Sequence, residues 1–326
     1  ARRDDRDSIA MLKQATAEDL NVGNILSMDN ISASYFPQQG WGKTEGRIQA
    51  GKHALVAGQE GPRTSHRGHL IQLNIDSPVY MPERYLQYHE VLEEVARQGG
   101  ISGYGHAGYG GSSTLFGMIL DVPFGLIKFL EIAQGGITGT DFWFTFLNLG
   151  YRIAPAAGTD YPYLDHPGAH RTYVHMADGY SVDSWFDGLE KGHAFVTNGP
   201  LLDVDVNGRG MGDELRVSRG ETIKVSASAL LSPDIDSLAR IELISRGEVI
   251  ATAQSGEDGA HLNLDYEMAM DASTWLVVRA VGRRDGPGTR IAAPTPLITA
   301  ISAPIYVVVD GATRTWYKEA VPGIVA

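Results

Sequence analysis

The chain has 326 residues, 43% of them hydrophobic and 20% charged, a length that suits two domains and a composition that excludes a mainly disordered chain. A formal net charge of -12 with scattered basic residues excludes a nucleic-acid partner, and no apolar run is long enough to cross a bilayer, the densest being Phe142 to Leu149. The absence of cysteine excludes thiolate zinc sites, disulfides and a cysteine nucleophile; it suits a periplasmic or secreted location and leaves the cytosol open.

The first residues, Ala1-Arg2-Arg3-Asp4-Asp5-Arg6-Asp7, contain no initiator Met and lead into no apolar signal segment, so the chain reads as a fragment or a processed protein. Asp19 to Met28 reads as a helix end followed by a short buried strand, with Asp29-Asn30 at its C-terminal end. His53 to Gly58 and Gly68 to Ile75 are two further strands, the first running into Gln59-Glu60. A helix is expected over Glu83 to Gln98: Pro82 suits its entry, Tyr85, Tyr88, Leu92 and Val95 recur at helical spacing, and Gly99-Gly100 ends it. Ile101 to His106 follows as a strand, then a glycine-rich loop. Phe124 to Ile132, Phe142 to Leu149 and Ile153 to Ala157 continue an alternation of short strands and helices as far as Gly158-Thr159-Asp160. Ser181 to Lys191 reads as a helix with Ser181 as its N-cap. Past Gly199-Pro200 the pattern changes to about seven strands without helices, at 204–206, 222–229, 240–244, 249–253, 262–266, 275–281 and 305–309, which suggests an antiparallel β-sandwich.

Several short motifs fail on inspection. Gly42-Lys43-Thr44 lacks the glycine that a phosphate loop needs five positions earlier, where Pro37 stands. Gly110-Gly111-Ser112-Ser113-Thr114 lacks the second glycine of a nucleophile elbow, so its serine is loop filler. No His-Glu-x-x-His helix exists, and Asn30-Ile31-Ser32 is a glycosylation triplet that arises easily by chance.

Nine of the ten histidines precede residue 200, and four polar segments there end in residues suited to a hard metal ion: Gly58 to Arg63, His66 to His69, Gly103 to His106 and Gly158 to Tyr161. A lone strand histidine such as His69 is more often a hydrogen-bonded core residue than a ligand. Glu60 and Asp160 are stronger signals, because a carboxylate that follows an apolar strand needs solvent or a cation as partner. Two carboxylates and two histidines at strand ends together favour a metal centre. His53, His66, His166, His170 and His175 are better suited to surface or hydrogen-bonding roles.

The succession Leu55-Val56-Ala57-Gly58-Gln59-Glu60, Arg67-Gly68-His69-Leu70, Gly103-Tyr104-Gly105-His106, Leu147-Asn148-Leu149-Gly150, Ala157-Gly158-Thr159-Asp160 and His193 to Pro200 resembles the CehA/McbA (carbaryl hydrolase) branch of the PHP (polymerase and histidinol phosphatase) superfamily. That resemblance runs nearly end to end. It implies an α/β fold, with a distorted (β/α)7 barrel over 1–199 and a β-sandwich accessory domain over 200–326. It also implies a centre of two or three metals at the C-terminal ends of the barrel strands. Carried over by position, Glu60 is the bridging carboxylate, His69 the ligand on the next strand, His106 the histidine of the central motif and Asp160 the aspartate of the Gly-Ser-Asp motif. Asp29 stands where the family usually has a histidine, and is the weaker candidate. Two departures follow: the histidine that closes the family's last motif is Pro162 here, with His166 as a neighbouring substitute, and the opening His-x-His is missing, as if the chain were cut just after its first two ligands.

These residues point to a hydrolase that uses divalent Zn, Mn or Fe to activate water against an ester, carbamate or phosphoester bond, with Glu60 and Asp160 in catalytic roles. Tyr104, Tyr109, Arg152 and Arg171 are candidates for stabilising the developing oxyanion. The alternatives are a PHP-type phosphoesterase and a non-catalytic binding or structural module. The expected partners are a small ester or phosphoester substrate and further copies of the chain, without nucleic acid or membrane. In the C-terminal segment Trp275, Tyr306 and Trp316 suit core packing better than sugar stacking.

Overall fold

The computed structural model describes residues 5–30, 33–35, 42–43, 46–107, 113–137, 139–256, 259–285 and 297–311. Tyr109, Trp316, Ile31-Ser32, Thr44 and Gly110 to Ser112 lie outside the described residues. The chain forms two compact units, one of residues 1–131 and 176–190, the other of residues 132–175 and 191–326.

The first unit holds helix α1 (Asp5–Ala17), strands β1 (Val22–Asn30), β2 (Ala33–Tyr35), β3 (Arg47–Ala50), β4 (His53–Thr64) and β5 (Gly68–Leu73), helix α2 (Tyr88–Arg97) and strand β6 (Ile101–Tyr104). Helix α3 (Ser113–Asp121) and strand β7 (Ile127–Ala133, whose last two residues belong to the second unit) follow. The strands lie in the order β2-β1-β4-β5-β6-β7, with β3 also on β4. The expected helix from Glu83 starts later, because Pro82 opens a 3-10 turn over Pro82–Arg84 before α2 begins. Helix α2 then buries Tyr88, Val91, Leu92 and Val95 on one face, as their spacing requires.

The expected (β/α)7 barrel is not what the chain builds. A barrel of that kind needs parallel strands joined by helical crossovers, whereas here β1 with β2, β3 with β4, β4 with β5 and β5 with β6 are all antiparallel. Among the described residues of this unit, only β1 with β4 and β6 with β7 are parallel. The physical reason is visible between β4 and β5: three residues, 65–67, join them, too few for a crossover of a dozen or more. The centre's location changes with it. Glu60 lies in the C-terminal half of β4, His69 is the second residue of β5, and His106 follows the C-terminal end of β6. Antiparallel pairing puts the end of β4, the start of β5 and the end of β6 at one edge of the sheet. The ligands are thus not all at C-terminal strand ends.

The second unit begins with α4 (Thr140–Asn148), β8 (Ala154–Ala157) and β9 (Arg171–Val174). After helix α5 (Val182–Lys191), nearly all of which belongs to the first unit, the chain continues with β10 (Ala194–Thr197), β11 (Leu201–Val206), β12 (Glu214–Val217), β13 (Glu221–Leu230), β14 (Leu238–Ser245) and β15 (Glu248–Gln254). The last strands are β16 (His261–Met270), β17 (Thr274–Asp285), β18 (Leu297–Ser302) and β19 (Ile305–Val309). One sheet has the order β11-β13-β16; the other runs β12-β19-β17-β18-β10-β9, with β14 on β17 and β15 on β14. Leu202, Val204, Ile223 and Val225 from the first share one apolar core with Ile241, Leu243, Val278 and Val307 from the second. Alternation writes this directly: along β11 the even-numbered residues are buried and the odd-numbered ones exposed. The hairpin corner between β14 and β15 follows the twist of its strands through positive φ at both central residues, Arg246-Gly247 (55° and 93°), and Asn207-Gly208 (50° and 78°) makes a tight turn closed by a bridge between Val206 and Arg209.

The division expected after residue 199 differs from these units, because β9 and β10 precede it and yet pair into the larger sheet of the second unit. Ser181 caps α5 as expected, its hydroxyl accepting from Ser184 N at 3.0 Å. Trp275 and Tyr306 are buried, and Trp275 stacks on Phe144 at 5.0 Å between ring centres, so both serve packing.

Candidate metal centre

Three of the expected ligands meet. Glu60, His69 and His106 each offer one ligand atom, all within 4.8 Å of one another, and among the described residues they are the one such group. Glu60 Oε1 is the focus: His69 Nδ1 lies 2.7 Å away and His106 Nε2 3.1 Å away, and the two ring nitrogens are 3.1 Å apart. The rings stand edge to face with centroids 5.1 Å apart. A tetrahedral ion with bonds of about 2.1 Å sets its ligand atoms about 3.4 Å apart, close to these separations. The donor set of two imidazoles and a carboxylate suits Zn, Mn or Fe. The residues therefore fit a divalent ion.

Glu60 is buried, yet it is held ionised. Burial alone would raise its carboxyl, but the hydrogen bonds from His106 and His69 and the charge of Arg63 outweigh that, holding it well below the usual carboxylate range. Arg63 Nε lies 3.1 Å from Glu60 Oε1. Its main chain is fixed by Tyr85, whose hydroxyl accepts from Arg63 N at 2.8 Å. Burial would lower His106, but Glu131 and Glu60 together carry it up to about 10. Without a metal, His106 is thus a cation between two carboxylates, and a divalent ion entering the group displaces its proton.

Asp29 sits beside this group but not in it. Its neighbour Met28 pairs with Glu60 across β1 and β4, while its own carboxylate is fully buried and accepts from Gln59 Nε2 at 3.2 Å. The Asp29 carboxyl lies against Gly61, where a Cβ would stand 1.5 Å from Asp29 Oδ1, so a side chain at 61 would displace it. Asp160 belongs to the second unit, where it has a φ of 50° and its carbonyl accepts from Tyr163 N at 2.7 Å. His166, the expected substitute for the family's final histidine, is exposed and faces Asp165, with Nδ1 3.4 Å from Oδ1. His170 is buried, and its Nε2 accepts from Gly136 N at 3.0 Å.

Of the oxyanion candidates, Tyr104 is already committed. Its hydroxyl donates to Asp121 Oδ2 at 2.5 Å, and Arg67 holds the same carboxylate through both oxygens. Arg152 and Arg171 belong to the second unit. Sequence reading missed Arg63 and Glu131. Glu131 had a signal: it is a carboxylate inside the apolar run Phe129-Leu130-Glu131-Ile132, the same anomaly that singled out Glu60.

No family model matches the chain, and no curated protein matches it. Among solved structures, partial likenesses are found to the sulfur carrier protein SoxY of Chlorobium limicola (14% identity, 33% of this chain and 77% of that chain, TM-score 0.21). Others are to the fibronectin(III)-like modules of Clostridium thermocellum CbhA (17%, 34% and 99%, 0.20) and to the CARDB domain of Pyrococcus furiosus PF1109 (12%, 34% and 96%, 0.23). Scores this low assign neither fold nor function.

Proposed function

We propose that the protein is a metal-dependent hydrolase that turns water against an ester, carbamate or phosphoester bond at the centre formed by Glu60, His69 and His106. The observation that carries this reading is the convergence of three ligand atoms, from three strands or strand ends, within 4.8 Å. A bound divalent ion supplies Lewis acidity and lowers the pKa of a coordinated water towards neutrality. The chain's own residues do the rest. Glu60 and the two imidazoles hold the ion, with Arg63 adding to the histidine hydrogen bonds that keep Glu60 anionic. Arg63, whose side chain is 31% exposed, is the cation beside the group and stabilises negative charge developing on the scissile oxygen. The motif order resembling CehA/McbA hydrolases supports the chemistry at the level of residues. It does so without the barrel.

A second reading is a non-catalytic module in which the same residues form a closed ion-pair network, favoured by His106 lying 3.1 Å from Glu60 and 3.3 Å from Glu131. Elemental analysis separates the two. After incubation with Zn, Mn or Fe and desalting, the hydrolase retains about one ion per chain or more, and Glu60→Ala and His106→Ala lose it together with cleavage of aryl ester, carbamate and phosphate ester substrates. Arg63→Met keeps the ion and lowers kcat. A chain that retains no ion under any loading condition sinks the hydrolase reading.

A further inference from the structure

We propose that Glu131 is the positioning residue of this centre: it fixes the His106 ring so that Nε2, and not Nδ1, is presented to the ion. The inference rests on the metal-binding reading above and goes beyond it, because Glu131 is not among the three ligands. Glu131 is buried on β7, which runs parallel to β6, the strand that leads into His106. A single oxygen, Oε2, makes both contacts: it accepts from the His106 backbone N at 2.8 Å and lies 3.3 Å from His106 Nδ1. The Glu131 carbonyl accepts from the next residue, Ala107, at 3.0 Å.

This double grip has work to do. His106 has a φ of 58°, a left-handed conformation that costs energy for a residue with a Cβ and persists only where surrounding bonds hold it. With Nδ1 turned to a carboxylate, Nε2 is left 3.1 Å from both Glu60 Oε1 and His69 Nδ1. A ligating histidine generally donates its second nitrogen to such a partner, which fixes the ring and raises its basicity as a ligand. A carboxylate buried without a partner is costly, and on Glu131 the His106 main-chain N–H and ring meet that need.

The test uses the full chain with Co and Zn in competition with a chromophoric chelator, on wild type, Glu131→Gln and Glu131→Ala. Expected is a loss of metal affinity of about 10- to 100-fold in Glu131→Ala. Glu131→Gln keeps an oxygen for the His106 N–H but not the charge, so its loss is smaller. The visible band of bound Co shifts in both variants, a readout that general destabilisation does not move. Unchanged affinity and an unchanged Co spectrum in Glu131→Gln overturn the proposal, even if thermal unfolding shows either variant to be less stable. Should Glu131→Ala fail to fold, Glu131→Gln decides alone. A wild-type chain that takes up no ion defeats the metal reading itself, and the role of Glu131 with it.

Discussion

Asp29 carries a buried carboxylate for which the fold supplies one side-chain donor, Gln59. Burial pushes its carboxyl up to about 7, with the Gln59 hydrogen bond opposing. Because the folded value lies above the ordinary 3.8, the folded protein binds this proton more tightly than the unfolded chain. Stability from this group is therefore complete below about pH 4, falls as pH rises towards 7 and levels off above it. Asp29→Asn is expected to remove that decline, so that urea midpoints at pH 5 and pH 8 draw together. A variant with the wild-type pH slope refutes this account of Asp29. At the same scale, Glu60, His69 and His106 were legible because each stands in a short polar word beside an apolar strand. Arg63 was named only as the end of such a word, and Glu131, though a carboxylate in an apolar run, shows its role only once β7 lies beside β6 and brings it to His106.

Among the elements, β14 and β17 carry the clearest ionic tie. Glu242 is buried on β14, with Oε1 2.7 Å from Arg240 Nε and Oε2 2.7 Å from Arg279 Nε on β17. Burial would raise its carboxyl, but the two arginines outweigh that and hold it low. The sign is opposite to that of Asp29: stability is present above the ordinary carboxylate range and is lost as pH falls through the lowered folded value. Glu242→Gln is expected to cost on the order of 1–3 kcal/mol at pH 7 and to flatten the acid limb of the stability curve, read by urea unfolding between pH 3 and 7. A steep acid limb in the variant would assign the acid sensitivity elsewhere. The β4 and β5 hairpin makes a related point about elements. Both strands were readable from their apolar residues, but the three-residue link that rules out a parallel crossover appears only with the full extent of β4, which runs to Thr64.

For the molecule as a whole, Trp275 is one of the two largest fully buried side chains of the second unit, with Trp143. It is fully buried on β17, stacked on Phe144 of α4, and its Nε1 donates to Asn148 Oδ1 at 2.9 Å. Trp275→Ala removes that packing and leaves a cavity, at a cost of about 3–5 kcal/mol. Near-ultraviolet circular dichroism during urea unfolding measures it, and a loss below about 1 kcal/mol would mean that α4 is not held there.

What the residues determined by themselves is local: where many of the strands lie, from apolar runs such as that of β4 and alternation such as that of β11, and which side chains carry donor chemistry. Only the tertiary structure decided which strands pair and in which direction. The reason is that pairing depends on partners far apart in sequence, as when Phe195 of β10 meets Ser302 of β18. The same holds at the candidate centre. Donor chemistry can be read from Glu60, His69 and His106 one at a time, but their separations of 2.7 to 3.1 Å exist only once β4, β5 and β6 lie side by side.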